Sequence, residues 1–600
     1  MYRKILLPTI FIVLAYGFWI SPDFKQIAAG VSIFLFGMLS LEQGFRAFTG
    51  GILEKILRHT TGSLWKSLGF GVVSTTILQS SSLVSVITIS FLSAGLIGLA
   101  AGIGIIFGAN LGTTTGAWLV AGFGLKVDIA SYAMPMLVFG VLLIFQKSKA
   151  LNGIGYILAG LGFLFLGIHF MKEGFEAFKD SIDLSAYAIP GYRGLFIYTA
   201  IGIFATVVMQ SSHATLVLII TALAAQQITY ENGLALSIGA NVGTTITAII
   251  GSMSANIQGK RLAGAHLIFN FATGFIAILF IHQFVQIVDG VSAAIGIAED
   301  DYTLKLAVFH TIFNLVGIVV MIPFINMMVR WLEKVFTEKE SPVEQPKYLT
   351  DSALDYADTA VEAVRKETLH LYDNAIDIIA DVIGFTKSEI DSEADLEQLL
   401  STRKKVPEVN IDARYDRSIK GIFSAIIAFI SQVRFNWELE QSGDLHWLRR
   451  ANRNIVEAIK STKHLQKNLL KFSQSDNKYA AQEYQNIRLN LALLLRELEE
   501  IRHEPDTDIK ILSVDSIKIS MEEGDEKVNN EIDELIRNGK IVPETGTSLI
   551  NDSSYLIEIK SNLLQFFETL FVAQARELTK VERKLALDDD EINKIRGTSE

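Results

Sequence analysis

Cysteine is absent from the 600 residues, which excludes disulfides and thiolate metal sites and leaves the redox compartment open. Charge is missing over long stretches: Ser67 to Leu125 holds no Asp, Glu, Lys or Arg in 59 residues. A bilayer crossing needs roughly 20 apolar residues, so such runs point to lipid rather than to a soluble core. No Gly-rich nucleotide loop, Walker lysine or hydrolase nucleophile elbow stands out, which argues against ATP-driven work and against an enzyme. The net charge of -11 gives no support to nucleic-acid binding.

What is present is uneven. Half of the residues are hydrophobic, 37 are Phe, and 38 of the 45 glycines fall before residue 334. The later part is charged, Gly-poor and periodic. Two solvents are implied, so the expected fold is all-α: a polytopic membrane part followed by a soluble helical bundle.

The membrane part repeats itself. FLFGMLSLEQGFRAF at 34–48 aligns with LFLGIHFMKEGFEAF at 164–178 at an offset of 130, and GANLGTT at 108–114 aligns with GANVGTT at 239–245 at an offset of 131. Between them, Gln79, Ser80, Ser81 and Ser82 lie in an uncharged run and align with Gln210, Ser211, Ser212 and His213. Basic residues place the 52–66 segment, the 146–150 loop and Lys260-Arg261 on the cytoplasmic side. The repeated opening helices then cross in opposite directions, the inverted arrangement of many secondary transporters. Tyr2-Arg3-Lys4 followed by Ile5 to Ile20 has a signal-peptide layout without a small-residue cleavage site, and is read as a retained span. Hydropathy leaves open whether 67–125 and 192–250 contain hairpins that enter and leave on one side.

Polar groups in an apolar run serve either the fold or a ligand. Gln and Ser offer oxygens to a dehydrated Na+ and N–H or O–H donors to an oxyanion, and helix breaks at mid-membrane would add dipole ends for both charges. Thr75 and Thr206 precede the two glutamines by one turn. Asn110, Thr113 and Thr114, with Asn241, Thr244 and Thr245, form a second repeated set in which Asn reads as a helix cap after a glycine break. The plainer alternative is that these hydroxyls satisfy neighbouring carbonyls or let helices pack closely. His213 is either a pH-responsive member of the site or a packed neutral donor.

From residue 349 onward the pattern predicts helices near 350–383, 388–401, 412–438, 445–473, 476–504, 509–535 and 548–590, none apolar enough to span. Glu367, His370 and Asp373 recur every three residues on one predicted face. That spacing suits part of a metal site, or simply a solvated acidic face.

The paired QSSS at 79–82 and QSSH at 210–213, with GANLGTT and GANVGTT, resemble the type II sodium-dependent phosphate cotransporter family over roughly residues 27–330. The resemblance implies two inverted repeats, inorganic phosphate as substrate, Na+ as coupling ion with no other cofactor, and the two Gln-Ser-Ser clusters as the binding elements. His213 departs from the family's third serine. The soluble part resembles the PhoU-type helical domain fused to bacterial members, which implies an inner-membrane setting with the N-terminus and C-terminal domain cytoplasmic, and a phosphate-signalling partner. The resulting division is 1–26 first span and outer loop, 27–150 repeat 1, 151–282 repeat 2, 283–333 outer loop and last span, 334–348 linker, and 349–600 PhoU-like domain. Transport or export of another oxyanion, and a membrane-anchored phosphate-signalling module, are the competing readings.

Overall fold

The computed structural model describes residues 2–572 except 50–61, 126–129, 182–187, 254, 338–342, 356, 404, 434–438 and 474. The described residues form helices and connecting turns, with no strand among them. The chain divides into two compact units, Met1–Glu338 with Thr350–Thr359, and Lys339–Leu349 with Ala360–Glu600.

The first unit opens with α1 (Tyr2–Ile20), α2 (Pro22–Thr49), α3 (Leu64–Leu78), α4 (Ser81–Ser93), α5 (Leu99–Gly112) and α6 (Thr114–Leu119). It continues with α7 (Ala130–Ile144), α8 (Lys149–Ser181), α9 (Gly191–Met209), α10 (Ser212–Ala224), α11 (Tyr230–Gly243) and α12 (Thr245–Ser252). The unit closes with α13 (Ile257–Leu279), α14 (Ile281–Ala294), α15 (Tyr302–Met321) and α16 (Ile325–Val335). Seven candidate membrane spans are present among the described residues, with α5–α6, α11–α12 and α15–α16 each forming one. α1 is helical but is not one of the seven. The basic 52–66 segment lies largely outside the described residues, and α3 begins within its end.

Glycines set the packing because lipid gives no hydrophobic drive between helices, so close backbone approach carries the association. Gly30, Gly37 and Gly44 on α2 recur every seven residues and face Gly167, Gly160 and Gly153 on α8. As numbers rise on one helix they fall on the other, so α2 and α8 run antiparallel. A Cβ on Gly37 would sit 2.6 Å from the Leu164 nitrogen and 2.7 Å from the Gly160 oxygen.

The next pair answers what hydropathy left open. A Cβ on Gly108 would come within 2.1 Å of the Leu68 oxygen, and one on Gly112 within 2.7 Å of the Val72 oxygen. Here the numbers rise together, so α3 and α5 run parallel. The 13 residues of α4 therefore carry the chain back between them, and α3–α4 is a hairpin whose tip is Gln79-Ser80. α9 and α11 repeat the arrangement, with Gly239 against the Thr199 oxygen at 2.1 Å and Gly243 against the Ile203 oxygen at 2.9 Å. α9–α10 is thus a second hairpin, turning at Gln210-Ser211.

The second unit contains most of α17 (Ala357–Ile383), then α18 (Lys387–Ile390), α19 (Leu396–Thr402), α20 (Ile411–Ser418) and α21 (Lys420–Gln432). α22 (Leu439–Phe472), α23 (Lys478–His503), α24 (Thr507–Arg537) and α25 (Pro543–Phe567) complete its described helices. The sequence expectations hold in outline and break at short turns: the helix expected from residue 350 begins at 357 after a 3-10 turn at Asp351–Asp355. The last one ends in a π turn at Glu568–Val572, and its expected remainder lies outside the described residues. Tyr372 is fully buried and stacks on Phe566 at 4.7 Å and 6°. Arg488 is also buried and donates from Nε to the Ile383 carbonyl at 2.8 Å, capping the end of α17. Gly384 follows with φ 84°, a left-handed stop that suits glycine.

Gly37→Val forces side-chain atoms against backbone that has no rotamer to yield, a conflict worth about 1–3 kcal/mol or more. Detergent-solubilised protein carrying it is expected to lose monodispersity and melt lower by size-exclusion and thermal unfolding. Gly69→Ala, at a position with open space, is expected to match the parent.

Candidate functional site

The two hairpin tips share one backbone device. Gln79 and Gln210 have φ 50° and 53°, left-handed values that end α3 and α9 abruptly. Ser80 and Ser211 then cap the returning helices, their hydroxyls accepting from the Leu83 and Ala214 N–H groups at 3.2 and 3.1 Å. The first serine of each cluster is therefore a cap, and Ser81 and Ser212 are the first residues of α4 and α10. First-turn N–H groups of a helix have no intrahelical acceptor, so each tip presents donors and a positive dipole end.

The tips differ in their surroundings. Gln79 donates from Nε2 to the Thr76 oxygen at 2.6 Å and to Thr115 Oγ1 at 3.2 Å, whereas Gln210 is exposed. Thr75 is buried with its hydroxyl unpartnered, while Thr206 donates across its break to Thr215 at 2.9 Å. Beyond each tip the returning helix meets the Gly-Thr-Thr turn of the other sequence repeat. Ser82 Oγ lies 3.3 Å from Thr247 Oγ1. At the aligned place, the His213 ring packs so tightly on Gly116 that a Cβ there would be 1.8 Å from Cε1. Phe34 also stacks on that ring, with 5.8 Å between centroids and 18° between planes.

The asparagines are not caps. Asn110 lies inside α5 and donates to the Ile106 carbonyl at 3.0 Å, and Asn241 lies inside α11. The break falls later, at Thr113 and Thr244, whose hydroxyls bond the Ala109 and Ala240 carbonyls at 3.0 and 3.1 Å. Thr114 and Thr245 likewise bond the Leu111 and Val242 carbonyls at 2.7 and 2.8 Å. These four hydroxyls serve the helix, bonding back to carbonyls within one turn of the break.

Asn241 instead belongs to a buried polar layer that the sequence reading missed. Its Nδ2 donates to Asn270 Oδ1 at 3.1 Å and to Asn314 Oδ1 at 3.2 Å, joining α11 to α13 and α15. Asn270 Nδ2, the Thr273 hydroxyl, both His266 nitrogens and His310 Nδ1 are buried there without partners. A signal existed: HLIFN at 266–270 and HTIFN at 310–314 are a short echo at an offset of 44 rather than 131. Thr115, Gly116 and Thr247 were also passed over, although 116 and 247 align at the same offset as the clusters.

In the second unit, Glu367, His370 and Asp373 do not converge as a ligand set. Glu367 is fully buried, accepting from the Lys347 and Tyr348 backbone N–H groups at 2.8 Å each and facing His370 Nδ1 at 2.7 Å. His370 Nε2 reaches Glu344 at 3.2 Å. Asp373 turns instead to Arg502 at 2.7 Å and Lys387 at 2.9 Å. Burial works against the Asp373 carboxylate, but hydrogen bonds from Arg502 and Lys387 outweigh it and hold its pKa below the usual value. No group of three His, Asp or Glu side chains suited to a metal occurs among the described residues. The trio fastens the linker and the helices, because buried carboxylates without a cation partner or N–H donors would be too costly.

The Na+/Pi-cotransporter family matches residues 33–173 and 193–298. Among curated proteins, the chain is 26% identical over 361 residues to Escherichia coli (strain K12) YjbB, named "Putative inorganic phosphate export protein YjbB". That alignment covers 58% of this chain and 62% of YjbB, so the chain spans less than two thirds of the relative's length. It is also 26% identical over 325 residues to "Uncharacterized protein YqeW" of Bacillus subtilis (strain 168), covering 52% of this chain and 98% of that protein. No solved structure matches.

Two measurements check the reassigned trio. Melting of the full chain is expected to be unchanged by EDTA. A carboxylate with a depressed pKa stabilises fully above its unfolded value and loses that contribution as pH falls through the folded value. Asp373 therefore contributes above pH about 3.9 and loses its contribution below it. Asp373→Asn is expected to melt lower at pH 7 and to show a shallower decline on acidification, read by thermal unfolding across pH 7 to 3.

Proposed function

We propose, on the match of the Na+/Pi-cotransporter family to residues 33–173 and 193–298, that the chain is a member of it and moves inorganic phosphate across the membrane coupled to Na+. The observation that carries this reading is the pair of hairpins turning at Gln79-Ser80 and Gln210-Ser211. Each ends one helix and starts another within an apolar unit, so each offers a carbonyl end to a cation and an N–H end to an oxyanion. Binding both charges together costs less than dehydrating either alone.

Alternating access by inverted repeats is supported by the antiparallel run of α2 and α8, which align in sequence. It is also supported by the matching glycine contacts in the α3–α5 and α9–α11 pairs. In this reading Gln79, Ser80, Ser81, Ser82, Gln210, Ser211, Ser212 and His213 line the site, with Thr75 and Thr206 beside it. Asn110, Thr113, Thr114, Asn241, Thr244 and Thr245 support the break opposite each tip. The membrane is a bacterial inner membrane, with the helical second unit cytoplasmic, PhoU-like, and binding a phosphate-signalling partner.

Net outward movement is favoured by the name of the YjbB relative, and the same core would serve either direction as the gradients dictate. The test is radiolabelled phosphate flux in reconstituted vesicles with Na+ imposed on one side or the other. Flux is expected to require Na+ and to fall about tenfold or more in Gln79→Ala and in Gln210→Ala, the scale of one lost hydrogen bond to a charged group. Unchanged flux without Na+ removes the coupling. Sulfate or arsenate competing as well as phosphate assigns the core to a broader class of oxyanion.

A further inference from the structure

The chain carries a net charge of -11, yet one helix of the second unit concentrates charge of the other sign. α22 is 34 residues long and sorts them by face. Leu445, Leu448, Ala451, Ile455, Ile459 and Leu465 are buried. On that side Asn452 donates to Thr368 of α17 at 2.6 Å and Ser461 to Glu558 of α25 at 2.8 Å. On the other side, every exposed residue from 446 to 471 is Lys, Arg, His or Trp. Positions 449, 453, 460, 464, 467 and 471 follow one another by three, four or seven, which keeps them in one stripe along the helix. At 1.5 Å per residue the stripe runs about 33 Å from Arg449 to Lys471.

An ordinary solvated face mixes the two signs, as α23 does by exposing Lys478, Gln482, Glu497 and Glu500. On α22, Glu457 pairs with Lys460 at 3.0 Å and Asp412 of α20 pairs with Lys463 at 2.6 Å. Arg449, Arg450, Arg453, Lys467 and Lys471 have no carboxylate partner among the described residues. Like charges three and four residues apart destabilise a helix, a cost that an extended anionic surface removes. Trp447 stands at one end of the stripe, 39% exposed, with the Arg450 guanidinium 5.8 Å from its ring centroid. An indole, apolar in body with one N–H, is suited to the headgroup level of a bilayer.

That bilayer is also the anionic surface closest to hand. The last candidate span ends at Val335 and the second unit begins at Lys339, so headgroups are present at high effective concentration. Clusters of about four to eight Lys or Arg beside a span suit anionic lipid. We propose that the exposed face of α22 is a membrane-docking surface, with Arg449, Arg450, Arg453, Lys467 and Lys471 against anionic phospholipid headgroups and Trp447 seated among them. Docking of this kind needs only a chain anchored in a bilayer and does not depend on what the first unit carries.

The full chain in nanodiscs tests it. Because the chain has no cysteine, His464→Cys places a single fluorophore in the middle of the stripe, and Asn490→Cys places one on the exposed surface of α23. Lipid carrying a nitroxide at its headgroup quenches a label that lies on the bilayer. With about a third of the lipid as phosphatidylglycerol, the His464→Cys label is expected to be quenched, and to be released in about 1 M NaCl, where the Debye length is about 3 Å. In pure phosphatidylcholine the quenching is expected to be lost. Arg453→Gln or Lys467→Gln is expected to lower the ratio of docked to free label about fivefold, and Gln at all five positions to abolish docking with thermal unfolding unchanged. Arg449→Lys with Arg450→Lys and Arg453→Lys keeps the charge and is expected to stay within about twofold of the parent. Quenching that is equal in the two lipids, insensitive to salt, or as strong at Asn490→Cys overturns the proposal. Loss of docking in the three-Lys variant does so too, since an anionic surface reads charge rather than guanidinium shape. Binding of polyphosphate or a DNA oligonucleotide to the chain in phosphatidylcholine nanodiscs, without docking on phosphatidylglycerol, hands the stripe to a soluble polyanion and likewise overturns it.

Discussion

A helix that stops inside hydrocarbon leaves as many as four N–H and four C=O groups without intrahelical partners, and lipid supplies none. The hairpins at Gln79 and Gln210 accept that cost twice, and much of the first unit answers it. Ser80 and Ser211 take one N–H each, the Thr113 and Thr244 hydroxyls bond back to carbonyls at the facing breaks, and glycine-lined partners pack on the arms of both hairpins. What these devices leave unfilled is a set of donors and acceptors in a dry place. A dehydrated ion and its counterion are the solutes that such a place suits.

The same accounting explains the second unit. Glu367 and Arg488 are both buried to zero exposure, yet each meets backbone groups at a chain turn, one receiving linker N–H donors and the other covering the end of α17. Charge there organises irregular backbone, and burial drives the Arg488 pKa down to about 10 without neutralising it at ordinary pH.

The architecture was legible where one residue type has one physical use. Gln-Ser-Ser in an uncharged run, echoed at a fixed offset, announced helix breaks, and the breaks lie at those residues. The glycine heptads of α2 and α8 were equally visible in sequence, yet their meaning depends on which faces meet. Hydropathy could not distinguish a span from a hairpin, because both are apolar; only the parallel run of α3 and α5 decides it. Asn110 and Asn241 misled because the glycine before them suggested a break, whereas the helix continues until their threonines. Glu367, His370 and Asp373 share a spacing but face different neighbours, and spacing on one helix says nothing of what the other helices bring. The packing of His213 on Gly116 spans 97 residues of chain and needs three dimensions to be seen.

The glycine contacts also fix where the first unit is stiff. α3 with α5, α9 with α11, and α2 with α8 touch backbone to backbone at these glycines, where a slide of one helix along the other meets peptide groups that have no rotamer to change. Each pair behaves as one welded plank. The seam that joins α11 to α13 and α15 is built instead from side-chain amides, with spare hydrogen-bonding capacity at Asn270. Spare capacity lets an amide exchange one partner for another at little cost. The layer at Asn241, Asn270 and Asn314 therefore has the character of a bearing, and the planks on either side are what it carries.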